Sequence, residues 1–95
     1  GSGGVGVEVL SGGGFVTWSE ITGSGSHGIT ATNGMVVSNS NLYNNVGNGV
    51  EGFGSDARFN WWGDAAGPTG PGGDGAGTGV DFSSFLTSIV TIITF

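Results

Sequence analysis

The chain of 95 residues contains no cysteine, no lysine and a single arginine, Arg58. Without cysteine there is no disulfide framework, no thiolate nucleophile and no cysteine-based metal site. One cation set against seven carboxylates leaves a net charge of -6. Such a chain cannot neutralise a phosphate backbone, so nucleic-acid binding is not expected. A polybasic membrane patch is excluded on the same ground. Charged residues of both signs make up only 8% of the sequence. Long apolar runs are scarce as well. The longest, Phe85 to Phe95, is interrupted by Thr and Ser and is too short to cross a bilayer as a helix, so membrane insertion is not expected. No window shows the i, i+3, i+4, i+7 apolar spacing of an amphipathic helix, and no helix is expected beyond a turn near Phe82 to Leu86.

What is abundant is glycine, at 23 residues. That content borders on low complexity. Leu, Ile, Val and Phe nevertheless make up about a quarter of the chain, which supplies apolar surface to bury. The chain is short enough for one domain. It has neither an initiator Met nor a charged-then-apolar leader, which reads as a processed or excerpted secreted protein.

The sequence repeats at a spacing of 21 to 22 residues. Val16-Thr17-Trp18-Ser19-Glu20-Ile21-Thr22 aligns with Val37-Ser38-Asn39-Ser40-Asn41-Leu42-Tyr43. Gly6-Val7-Glu8-Val9, Gly28-Ile29-Thr30-Ala31 and Gly49-Val50-Glu51-Gly52 form a second series. A third copy of the first segment is shortened, with Asn41-Leu42-Tyr43-Asn44 set against Asn60-Trp61-Trp62-Gly63. Val7, Ile29 and Val50 alternate with polar or small neighbours, as strands with one buried face do. Gly, Asn and Ser cluster between these segments and tolerate the positive φ of tight corners. The pattern predicts a β-solenoid in which equivalent residues stack in rows. The inward rows would be Val7, Ile29, Val50; Val9, Ala31, Gly52; Val16, Val37; and Ile21, Leu42, Trp61.

The segment Asn60-Trp61-Trp62-Gly63-Asp64-Ala65-Ala66-Gly67-Pro68, the Gly/Pro/Asp-rich loop after it, and Val80-Asp81-Phe82-Ser83-Ser84-Phe85-Leu86 resemble the terminal coil of right-handed parallel β-helix proteins of secreted bacterial and archaeal surfaces. The resemblance spans residues 28 to 86. It implies an all-β fold, a right-handed parallel β-helix of about two to three coils plus a C-terminal strand. Residues 1–63 would form the coils, 64–80 a loop, and 81–95 a capping or subunit-joining strand. It also implies an extracellular or cell-surface location. The superfamily includes pectate lyases, polygalacturonases, tailspikes and adhesins. Their usual coil number far exceeds what this chain can form.

Candidate chemistry is sparse. Glu8 and Glu51 fall on matching positions with Thr30 between them, about 10 Å apart by strand spacing, and read as solvated outward residues. Arg58 is the sole candidate for the base that a lyase of this fold implies. The simpler role is an ion pair with Asp56 or Asp64, or cover over the Trp pair. His27 aligns with Asn48 in a corner and reads as a turn residue. Asp74 in Gly73-Asp74-Gly75-Ala76-Gly77 is similar to a calcium-roll motif, but Gly77 stands where that motif needs Asp. Asp64, Asp74 and Asp81 are the one set considered for Ca2+. No catalytic residue and no cofactor is assigned.

Two surfaces remain as candidates. Trp61 is expected in the core and Trp62 outward beside Tyr43, which makes Tyr43 and Trp62 the candidate glycan contacts. The simpler reading is that the Gly/Pro loop folds over Trp62 and buries it. The terminal segment carries Ile89, Ile93 and Phe95 on one strand face and Val90 and Ile92 on the other. Apolar residues on both faces imply cover on both faces. A solenoid this short also leaves strand edges unpaired at its ends. The resulting expectation is a non-enzymatic structural subunit that pairs with copies of itself, head to tail into a filament, through Ile89, Val90, Ile92, Ile93 and Phe95. A glycan-binding adhesin or tailspike fragment, and a fragment of a polysaccharide-degrading enzyme, are the alternatives.

Overall fold

A computed structural model describes residues 6–9, 14–32 and 34–92. Seven strands of two or three residues follow one another: β1 Val7–Val9, β2 Phe15–Thr17, β3 Glu20–Thr22, β4 Ile29–Ala31, β5 Val36–Ser38, β6 Asn41–Tyr43 and β7 Val50–Glu51. They form one three-stranded sheet, β1-β4-β7, and two two-stranded sheets, β2-β5 and β3-β6. Every pairing is parallel. No helix occurs among the described residues, and the region near Phe82 to Leu86 holds a turn at Ser83 and Ser84.

The repeat spacing sets the register. Val7 pairs with Ile29 and Ile29 with Val50. Val16 pairs with Val37, and Ile21 with Leu42. Each strand alternates, so β4 turns Ile29 and Ala31 inward while β5 and β6 turn Val37 and Leu42 inward. Ile29, Val37, Leu42 and Val50 have no solvent exposure, and Ala31, Met35, Ala57, Trp62 and Val80 complete the core. Each fully buried aliphatic side chain contributes about 2 kcal/mol. Gly52 continues the Val9 and Ala31 row, where a Cβ would lie 2.4 Å from the Ala31 carbonyl oxygen.

The expected right-handed parallel β-helix is not what forms. No sheet exceeds three strands, none closes, and none runs on as a solenoid wall. Past Glu51 the described residues make only single-residue bridges: Val36 with Asp56, Asn41 with Trp61, Val50 with Ala76 and Asp56 with Asp81. The molecule is a globule of 30 × 29 × 28 Å. The physical reason lies after the second repeat. The spacing drops by one residue at Trp61 and then lengthens across the turn-rich residues 64 to 80, so the ladders cannot propagate. The C-terminal strand is also absent among the described residues, because residues 82 to 92 have no strand partner.

Short strands require sharp corners. Trp18, Asn39, Phe59 and Ser84 occupy equivalent corner positions with φ of 51°, 53°, 62° and 57°. Asn accepts this left-handed region readily, whereas bulky Trp and Phe do so only under constraint. The constraint is in place at Asn39, whose N–H donates to the Phe59 carbonyl at 2.7 Å.

Candidate functional site

Two buried polar ladders fix the corners. In the first, Ser40 Oγ accepts from the Ser19 N–H, and Asn60 Oδ1 accepts from the Ser40 N–H at 3.1 Å. Asn60 Nδ2 donates to the carbonyls of Val37 and Ala57, both at 2.7 Å. In the second, Asn45 Oδ1 accepts from the Ser24 N–H and hydroxyl, and Asn45 Nδ2 donates to the Ile21 carbonyl. Asp74 extends that ladder, accepting from Asn45 Nδ2 at 2.7 Å and from the Asn45 N–H at 3.0 Å. Burial pushes the Asp74 carboxyl above its ordinary value, against the two Asn45 donors. This clamp ties the Gly/Pro-rich segment to the strand layers, as does the Asp74 N–H donating to the Trp62 carbonyl.

The other titratable groups do not converge. Arg58 chelates Asp56 through Nε and a terminal nitrogen, each at 2.9 Å, and lies 3.9 Å from Asp81. Its guanidinium sits 5.6 Å from the centre of the Phe59 ring, not over the Trp pair, and Asp64 is not its partner. The Arg58 hydrogen bonds hold the Asp56 carboxyl below its ordinary value. Asp64 accepts from the Ala66 and Gly72 N–H groups, and Asp81 from the Ser83 hydroxyl and N–H. These local donors lower both. Asp64, Asp74 and Asp81 are therefore engaged separately, and no three His, Cys, Asp or Glu side chains cluster among the described residues. His27 acts in its corner, where Nδ1 accepts from the Asn48 N–H at 2.9 Å. Glu51 accepts from Asn48 Nδ2 at 2.7 Å. Its row partner Thr30 has a buried hydroxyl with no hydrogen-bond partner among the described residues, which do not include the side chain of its other row neighbour, Glu8.

The glycan pair does not form. Trp61, not Trp62, pairs with Asn41, which places Trp62 in the Ile21 and Leu42 row. Trp62 is fully buried and Trp61 is half-buried, the reverse of the expected outward Trp62 and core Trp61. The third repeat is shorter by one residue rather than two, and a one-residue slip swaps faces. The indole Nε1 of Trp62 finds no partner in this packing. Tyr43 stays half-buried, its hydroxyl donating to the Glu20 carboxylate, and that bond raises the Tyr43 pKa.

The terminal segment is described as far as Ile92, so Ile93 and Phe95 lie outside the described residues. Ile89 is 55% exposed, and Val90 and Ile92 are half-buried. Val90 is held by a residue that sequence reasoning missed. The Asn41 amide oxygen accepts from the Val90 N–H at 2.7 Å, and its amide nitrogen donates to the Val90 carbonyl at 2.8 Å. Asn41 is fully buried although it belongs to the outward row of β6. No local signal links residues 49 apart.

The strand layers differ in cover. β1, β2 and β3 are each paired on one side only among the described residues. Their inward residues Val7, Val16 and Ile21 are only partly buried, and Phe15 and Trp18 of the same layer are 77% and 60% exposed. The opposite end is covered by Trp62, Val80, Phe82 and Phe85. Comparison with known proteins returns no match: no family model matches the sequence, and neither a curated protein nor a solved structure does.

Proposed function

We propose that this chain is an extracellular, non-enzymatic structural unit that associates with copies of itself. The observation that supports this most is the layer β1, β2 and β3, one-sided among the described residues, where strand edges and inward apolar side chains share one end. Unpaired strand edges are templates for pairing with another chain. Exposed Phe15 and Trp18 add apolar area beside those edges. The open layer and the terminal segment are different surfaces. A joint between unlike surfaces extends into a filament where its rotation does not close a ring. The extracellular placement rests on the resemblance that spans residues 28 to 86.

Sedimentation and negative-stain microscopy across a concentration series test this reading. Assemblies that grow with concentration are expected. Ile21→Lys should abolish them while the fold survives, because a Lys at an open end reaches water. Small discrete particles at every concentration would sink the proposal.

A further inference from the structure

Of all the contacts in the molecule, the one between Asn41 and Val90 is the least explained by the fold. A primary amide that accepts from the N–H and donates to the C=O of one residue reproduces both hydrogen bonds a strand neighbour would make. Asn41 holds this geometry with its side chain fully removed from solvent. Its main chain is already engaged, with the N–H donating to the Ser19 carbonyl. The amide is thus a dedicated one-residue slot for backbone, set on the outward row of β6.

The segment that fills the slot is weakly attached elsewhere. Its last main-chain tie to the body is the Leu86 N–H donating to the Asn60 carbonyl at 2.9 Å. Beside it, the Phe85 ring packs where a Cβ on Gly67 would stand. From residue 87 to 92 the two bonds to Asn41 are the only hydrogen bonds among the described residues. Thr87, Ser88, Ile89 and Thr91 are exposed. A segment with so few buried contacts opens at low cost compared with the global fold. The four residues that follow Leu86, ending at Val90, reach about 14 Å when fully extended, far enough to meet a molecule packed against this face.

We propose that this segment is an exchangeable strap: Asn41 receives Val90 of its own chain in the single molecule and Val90 of a second copy in the assembly. The occupant is a second copy because the donor and acceptor are already complementary within one sequence, and exchange of an identical element replaces each contact with its equal. The segment carries no charge from Phe82 onward, so nothing in it repels a like copy. The inference rests on the self-association reading and adds to it a second contact, at β6, apart from the open β1 to β3 layer.

The absence of native cysteine makes the test direct. Full-length Glu20→Cys and Thr91→Cys chains are mixed at a concentration where the unmodified protein assembles, then treated with a short flexible thiol crosslinker. Glu20 is exposed and pairs with Asn41 across β3 and β6, so the slot itself is untouched. Crosslinks joining position 20 of one chain to position 91 of the other are expected. Asn41→Asp places an oxygen against the Val90 carbonyl and should lower their yield about tenfold. Val90→Pro, which removes the donated N–H, should do the same and serves if Asn41→Asp fails to fold. Crosslinks confined to the Glu20→Cys/Thr91→Cys double variant, with assembly intact, would overturn the strap and leave self-association standing through another joint. Interchain crosslinks unaffected by either variant would remove Asn41 as the receptor. An unmodified protein that never assembles would overturn both readings.

Discussion

Ile21 and Leu42 are partners in the same row, one layer apart, with similar side chains and the same inward direction. Leu42 is sealed, whereas Ile21 is partly open. The pairs Val16 with Val37 and Val7 with Ile29 repeat that difference. Among the described residues, the second layer, β4 to β6, has neighbours on both sides, and the first, β1 to β3, on one. Burial in a parallel arrangement depends on the layer above and below as much as on the residue. Similar sequence patterns therefore yield a sealed core in one layer and a partly open end in the next.

Truncation should expose this difference most sharply. Leu42→Ala is expected to cost about 3 kcal/mol in denaturant unfolding, and Ile21→Ala about 1 kcal/mol, since a partly open site leaves a smaller cavity. Equal losses would break the distinction between the layers. Trp62→Ala should cost about 4 kcal/mol. Trp62→Phe should cost much less, because it removes an indole N–H that has no partner. Asn60→Ala leaves the Ser40 N–H and the Val37 and Ala57 carbonyls unpaired and is expected to cost about 3 kcal/mol, with the sealed layer most affected.

Acidity sharpens the comparison at the sealed end. The folded-state pKa of Asp74 is raised, so its contribution to stability is complete below the unfolded value and is lost as pH rises through the folded one. Stability relative to Asp74→Asn should therefore fall on going from acid toward neutral pH. Asp56, Asp64 and Asp81, whose pKa values are lowered, act in the opposite sense: their contribution is present above the unfolded value and lost in strong acid. Those three are surface groups and give the weaker dependence. A pH profile unchanged by Asp74→Asn would remove the buried clamp from this account. The smallest effect is expected at the first-layer corner. Trp18→Asn, copying Asn39 one layer on, relieves a left-handed Trp and should stabilise the monomer by about 1 kcal/mol in thermal unfolding.

The parallel rows were legible because the repeats share a spacing and strands alternate with a period of two. The rows Val7-Ile29-Val50, Val16-Val37 and Ile21-Leu42 need nothing more. The solenoid was over-read from the same spacing, since the repeat count alone does not show where laddering stops. Trp62 was misplaced because two adjacent indoles differ only in parity, and parity across Ser55 to Asn60 is set by how that corner packs. Nothing local in the sequence marked Asn60, Asn45 and Asp74 as buried, and their burial followed from the layers stacked around them.

Alternation and repetition, both local properties, determined from sequence alone that the chain forms short parallel strands with those inward rows. The tertiary structure alone decided how many layers form, which tryptophan is enclosed, and that Asn41 meets Val90. These outcomes depend on corner lengths and on contacts between residues far apart in the chain, where the energy difference between alternatives is settled by packing and not by any residue's own preference.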